Sequence, residues 1–235
     1  MSGLARKRFW KNVDVVPVDA GFTIQLDGRA LKTPAKAPLV VPTHAVAELI
    51  AAEWRAQGEK IVPETMPATR AANAAIDKVR GQFADVAALV AAYGESDLLC
   101  YRATYPAELR ARQDAAWDPL LEWTTHQFGL RWVIVEGVMP AAQPPETLAM
   151  LDAQVARFSP FELTAFHDLV ALSGSLVIGL AVTEGRDTPE ALWQVSRIDE
   201  DWQTEKWGED DEARALAAQR KEGFLFAASF FAAMR

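Results

Sequence analysis

Apolar and polar residues alternate from Phe22 to Leu26, where Phe22, Ile24 and Leu26 are separated by Thr23 and Gln25. That period of two predicts a strand with one buried face. Asp19-Ala20-Gly21 and Asp27-Gly28 bracket it with turn residues, and Val13, Val15 and Val16 supply a strand to pair with it. Leu39-Val40-Val41, held between Pro38 and Pro42, reads as a short edge strand. The period then changes. Val46, Leu49, Ile50 and Trp54 recur at three- to four-residue spacings between Thr43, a capping residue, and Gly58, which predicts the first helix. Pro63 and Pro67 mark residues 60–69 as a linker.

Beyond the linker the pattern is mostly helical. An Ala-rich stretch from Ala71 to Tyr93 carries Ile76, Val79, Phe83, Val86 and Val90 on one stripe. A second helix is expected from Pro106 to Phe128, broken before Pro119 because proline disfavours helix at the residue preceding it. Arg131 to Val138 is β-branched enough for a lone strand. Ser159-Pro160-Phe161-Glu162 has the form of a capping box with proline at the first helical position. Ser173 to Val182 is a buried segment whose periodicity does not separate helix from strand. The expected fold class is α+β. A small β-rich N-terminal domain with one helix spans residues 1–68, and a larger, all-helical C-terminal domain spans 69–235.

The segment from Thr188 to Gly208 reads as one helix, capped by Thr188, opened by Pro189 and ended by Gly208. At about 100° per residue, Ala191, Val195, Ile198 and Trp202 form a core-facing stripe. Trp193 and Trp207 then fall within about 40° of each other on a different face, with Ser196, Glu200 and Gln203 along it. Either a second layer of the protein covers that face, or it stays open and docks a partner. Tryptophan is enriched at the energetic centres of interfaces, and neighbouring acids select a basic or amide-rich surface.

Charge strengthens the second reading. The 235 residues carry 24 Lys and Arg against 32 Asp and Glu, a formal net charge of -8. Eleven acids and three bases lie between Glu184 and Glu212, so that window alone accounts for the whole net charge. An acidic chain with pI ≈ 5.0 argues against a dedicated nucleic-acid binder. Cys100 is the single cysteine, which rules out an internal disulfide and a cysteine zinc cluster. The basic N-terminus around Arg6, Lys7, Arg8 and Lys11 has no apolar segment after it, and no run approaches the ~20 residues of a membrane span. A cytosolic protein, without membrane insertion, is expected.

Catalytic signatures are scarce. No phosphate-binding glycine loop or nucleophile elbow is present, and His44, His126 and His167 are scattered. A triad of His167, Asp168 and Ser173 or Ser175 is opposed by geometry, since adjacent helical residues point about 100° apart. Cys100 follows two leucines and reads as a packing residue. The acids from Glu209 to Glu212 could hold a hard cation, but acids that open a helix complement its dipole without any metal.

Ser196-Arg197-Ile198-Asp199-Glu200, then Gln203 and Trp207-Gly208, resembles the signature of the assembly chaperones for the F1 α subunit of ATP synthase. Arg8-Phe9-Trp10-Lys11 and the run from Leu26 to Pro34 are similar to that family's N-terminal motifs. The runs from Asp97 to Arg102, Trp117 to Leu121 and Leu172 to Leu176 are similar to its middle ones. The resemblance spans nearly the whole chain in order. It implies a two-part fold, no enzymatic activity and no cofactor. The implied task is to hold the unassembled F1 α subunit until the β subunit arrives. No mitochondrial presequence is evident, which points to a bacterial relative acting in the cytoplasm, the counterpart of the matrix for eukaryotic members. The residues expected to meet the partner are Trp193, Asp199, Glu200, Gln203, Trp207 and Glu212. A hydrolase built around His167 and a metal-binding regulator built on Glu209 to Glu212 are the competing readings.

Overall fold

A computed structural model describes residues 7–137, 139–208 and 210–235. The period-two stretch is β2 (Gly21–Leu26), and it pairs antiparallel with β1 (Val13–Val18), Val13 opposite Leu26 and Val18 opposite Gly21. On its other side β2 pairs with both β3 (Arg29–Ala30) and β4 (Val40–Val41). Gly21 has a φ of +135°, and a Cβ there would lie 2.2 Å from the carbonyl oxygen of Val41, so only glycine fits. α1 (His44–Ala56) is capped by Thr43, whose hydroxyl accepts from the Val46 amide, and it buries Val46, Ala47, Ile50 and Ala51.

The stretch expected as a linker, residues 60–69, holds a 3-10 turn (Pro63–Thr65) and the first turn of the next helix, which is tied back to α1. Glu53 accepts from the Ala68 and Thr69 amides at 2.5 and 2.8 Å and from the Thr69 hydroxyl at 2.7 Å. It thereby caps α2 (Pro67–Asp77), while burial pushes its carboxyl above the usual range. The helix expected from 71 to 93 does not run through. α2 stops at Asp77, Lys78 leaves helical geometry at φ −122° and ψ −65°, and a 3-10 turn leads to α3 (Phe83–Ala91). The stripe rule missed this break because the Asp77 side chain is held by residues far away in sequence, Thr33 and Ala35.

The chain divides into two compact units. One takes the sequence up to Phe83 with Ser159–Ala165 and Ser229–Arg235, and the other takes Ala84–Phe158 with Phe166–Ala228. The residue-68 position lies inside the first unit, where α2 is joined to α1 by the Glu53 cap.

Among its described residues the second unit is mostly helical, with a short parallel pair, β5 (Tyr101–Arg102) with β6 (Val135–Glu136). β6 is what remains of the strand expected over 131–138, and Val138 lies outside the described residues. α4 (Ala107–Phe128) passes through Pro119 unbroken. Losing the bond to the Ala115 carbonyl is tolerated because Trp117, Leu120 and Leu121 bury the helix there. After α5 (Pro145–Val155), the capping box forms as expected. The Ser159 amide donates to Glu162 and the Glu162 amide to Ser159, opening α6 (Pro160–Ser173). The ambiguous segment is a helix, α7 (Leu176–Thr183), capped by Ser175 and buried all round, so it had no polar face to betray its period.

The segment expected as one helix is two, α8 (Pro189–Val195) and α9 (Ile198–Trp207), followed by α10 (Asp211–Ala232). In a continuous helix the Val195 carbonyl would accept from the Asp199 amide. Instead it accepts from the Trp117 indole at 2.9 Å, and the Ser196 hydroxyl closes the turn on the Trp193 carbonyl at 2.7 Å.

Candidate functional site: the outer face of α9

The site is built on a rigid base, and the base uses the same short motifs that stand out in the sequence. Arg102 is 2% exposed. It donates to Asp114 at 3.0 Å, to Asp118 at 2.7 Å and to the Leu99 carbonyl, and it lies over the Trp117 ring at 4.9 Å. A buried cation persists only when paired and hydrogen-bonded, as here. Asp97 is fully buried and accepts from the amides of Leu99 and Val177, each at 3.0 Å, so it caps both the Leu98–Cys100 turn and α7. Burial drives its carboxyl above the ordinary aspartate range, against the pull of those bonds. Together these groups fix α4 and α7, on which the core around Leu121, Val177, Trp193 and Phe224 packs.

α4 then positions α9 through three consecutive contacts. Trp117 holds the α8–α9 turn, Gln113 donates to Asp199 at 2.6 Å, and Arg112 pairs with Glu205 at 2.8 Å. Trp202, 6% exposed, is flanked by the Arg112 guanidinium at 4.7 Å and the Lys206 ammonium at 4.5 Å. The pairing with Arg112 keeps the Glu205 carboxyl below its usual range. The inner side of α9 is thus fully engaged.

The outer side is open. Trp207 is 79% exposed at the last turn of α9, and Gly208 turns the chain at φ +91°. Between α9 and the start of α10 lies a groove of about 420 Å³, with Glu200, Asp201, Gln203, Trp207, Asp210 and Arg214 among its lining. Arg197 donates to Glu200 at 2.7 Å, leaving that carboxylate exposed and oriented. Burial raises the Asp201 carboxyl, the Arg197 charge opposes that, and the nearby Glu205 adds to it. The arrangement offers a large aromatic plane beside carboxylates, a surface suited to binding.

The sequence-derived residues separate here. Glu200, Gln203 and Trp207 meet on the groove. Asp199 lies on the same helix but its carboxylate is turned to Gln113. Glu212 is exposed in the first turn of α10, outside the groove lining. Trp193 does not join them: it is 3% exposed, packed on Phe224 at 5.4 Å, because the break at Ser196 resets the helical phase between the two tryptophans. Arg197, Asp201, Asp210 and Arg214 were not among the residues expected to meet the partner; the first two come from α9 and its N-cap, and the last two enter only beyond the turn at Gly208. Glu209 lies outside the described residues.

The alternative chemistries find less support. His167 and Asp168 do hydrogen-bond, at 3.0 Å, contrary to the expectation from helical spacing, and this raises the imidazole pKa. Ser173 is spent on the Leu169 carbonyl and Ser175 on capping α7, both buried. Among the described residues no three His, Cys, Asp or Glu side chains gather as a metal site, and no helix is long and apolar enough to cross a membrane. Cys100 is buried, and burial holds its thiol far above the reactive range.

Residues 7–125 match the family profile described as ATP12 chaperone protein. The chain belongs to the ATP12 chaperone family. As a member it is an assembly chaperone of ATP synthase and not an enzyme. Among its relatives is the mitochondrial protein atp12 of Schizosaccharomyces pombe, 25% identical over 222 residues, a match covering 89% of this chain and 76% of that one. The crystal structure of Atp12 from Paracoccus denitrificans superposes with a TM-score of 0.95 at 46% identity, covering 97% of this chain and 98% of that one. The Atu1473 protein of Agrobacterium tumefaciens superposes at 0.92 and 42% identity, over 97% and 86%. The ATP12 profile ends inside α4, so α9 and its groove lie beyond the matched residues.

Proposed function

We propose that this ATP12-family chaperone binds the unassembled α subunit of F1 in the bacterial cytoplasm and covers a surface that the β subunit later occupies. The observation that carries the reading is Trp207, 79% exposed at the edge of a groove lined by Glu200, Asp201 and Asp210 together with Arg197 and Arg214, on a helix whose other side is locked to α4. A large aromatic ring left in water is a cost that a binding surface recovers on docking. Carboxylates around it favour a partner surface with basic or amide groups and disfavour acidic ones. Glu200 and Gln203 are assigned to contact, with Asp199 orienting the helix and Glu212 at its margin. A stoichiometric chaperone needs a wide interface and moderate affinity so that the true partner displaces it, which requires no chemistry.

Co-purification of the tagged chain with separately expressed F1 α and β subunits tests this. The expected result is retention of α and not β, reduced about tenfold or more by Trp207→Ala. Retention of neither subunit, or of β alone, would sink the reading. Undiminished retention by Trp207→Ala would leave the client in place and remove the groove from the interface.

A further inference from the structure

The two units carry opposite charge. The first holds thirteen bases and nine acids, a net of +4, and the second holds eleven bases and 23 acids, a net of -12. Within the first unit the cations are concentrated. No acid occurs between Gly28 and Ala47, while Arg29, Lys32 and Lys36 do. The β3–β4 segment that carries them is held by its own bonds. The Thr33 amide donates to the Ala37 carbonyl at 2.9 Å, the Lys36 amide to the Thr33 carbonyl at 2.9 Å, and Lys32 bridges to Pro38. Lys36 sits at φ +68°, a left-handed position that a lysine adopts only where the surrounding turn requires it.

This loop is fastened to the end of α2. The Thr33 hydroxyl donates to Asp77 at 2.6 Å and the Ala35 amide donates to the other carboxylate oxygen at 3.1 Å. Lys78 follows Asp77, and Arg80 comes two residues later in the 3-10 turn, so the fastening joins the loop to a segment that carries two more cations. All five are exposed, and none has an ion-pair partner among the described residues. Two acids adjoining these segments in sequence are engaged by backbone amides, although the Asp27 charge also acts on Arg29. Asp77 holds the loop, and Asp27 accepts from the Lys11 and Asn12 amides.

We infer that Arg29, Lys32, Lys36, Lys78 and Arg80 form a docking surface for an acidic protein segment. The surface is preorganised, because hydrogen bonds and not the ligand set the backbone, so binding orders little more than side chains. A nucleic acid is a poorer fit: a long polyanion extends past five cations into the field of a chain with a net charge of -8. An anionic membrane is poorer too, since the exposed neighbours are Pro34, Ala35 and Pro38, with no large apolar side chain to insert. This surface is independent of the α9 groove and of the identity of the client.

Fluorescence anisotropy of a labelled oligoglutamate peptide with the full chain tests it at low ionic strength. Wild type is expected to bind, and Lys32→Glu/Lys36→Glu/Lys78→Glu to weaken binding about tenfold or more, with a shallower salt dependence. A milder variant, Arg29→Ala/Arg80→Ala, moves in the same direction with less risk to folding. Arg131→Glu/Arg157→Glu/Arg186→Glu, which changes net charge equally elsewhere, is expected to bind nearly as wild type does. No binding by wild type, equal loss in the two charge-reversed variants, or tighter binding of duplex DNA or phosphatidylserine vesicles overturns the inference. Because the probe is not an F1 subunit, failure here and failure of the α-subunit reading are separate results.

Discussion

Trp193 and Trp207 sit at the two ends of one acidic segment, and composition does not distinguish their surroundings. Yet one is 3% exposed and the other 79%. The difference comes from what reaches each end. α8 lies over α7 and Phe224, in a core fixed by Asp97 and Arg102. α9 is grasped along its inner side alone, by Arg112, Gln113 and Trp117 of α4, and its outer side is left to solvent. A tryptophan among acids is therefore no site by itself. It becomes one where the scaffold holds the backbone firmly and covers only one side.

The widest test of that contrast is stability. Trp193→Ala removes a buried ring from the core and is expected to cost about 3–5 kcal/mol. Trp207→Ala removes an exposed one and is expected to stay within about 0.5 kcal/mol. Paired urea denaturation curves measure both. Similar midpoints for the two variants would mean that the ends of the segment are not different in kind.

Residues near in sequence explain what could be read in advance. The alternation Phe22-Thr23-Ile24-Gln25-Leu26 became β2, and Ser159 and Glu162 made both bonds of the capping box. The failures were set from a distance. Helix breaks at Lys78 and Ser196 depend on Thr33 and Trp117, 44 and 78 residues from the groups they bind. A rule based on 100° steps carries phase across such a break and so placed both tryptophans on one face. Pro119 failed in the other direction, a local rule overruled by burial. At the site, Glu200, Gln203 and Trp207 were readable because they share one unbroken helix. Asp210 and Arg214 were not, because they lie beyond the turn at Gly208, before and within the first turn of α10.

Proton linkage sharpens the buried end. The Asp97 carboxyl is raised by burial, so between the ordinary aspartate pKa of about 3.9 and its folded value the native state holds the proton more tightly than the unfolded chain. Its contribution is fully present below that range and is lost as pH rises through it. Stability should fall with rising pH there, by at most about 1.4 kcal/mol per pH unit from this group. Asp97→Asn, which cannot ionise, is expected to flatten that slope. Denaturation midpoints measured at successive pH values give the slope directly, and an unchanged slope in the variant would assign the linkage to other carboxyls such as Glu53, also raised by burial.

The smallest effect concerns the grip on α9. Arg112→Ala removes the ion pair to Glu205, whose partners are 48% and 50% exposed, and the cation over Trp202. Exposed ion pairs and surface cations over a ring each contribute little to folding, so the loss in global stability should be slight. The local consequence is more informative. With Gln113 and Trp117 still holding the first turn, the end of α9 that bears Trp207 loses its anchor. Amide exchange should accelerate from Glu205 to Gly208 while Asp201, whose amide donates to the Arg197 carbonyl at 2.8 Å, keeps its protection. Uniform acceleration along α9 would show that the helix opens as one piece from its first turn. Unchanged exchange would show that packing of Trp202 alone fixes the far end, so that the groove is presented without help from Arg112.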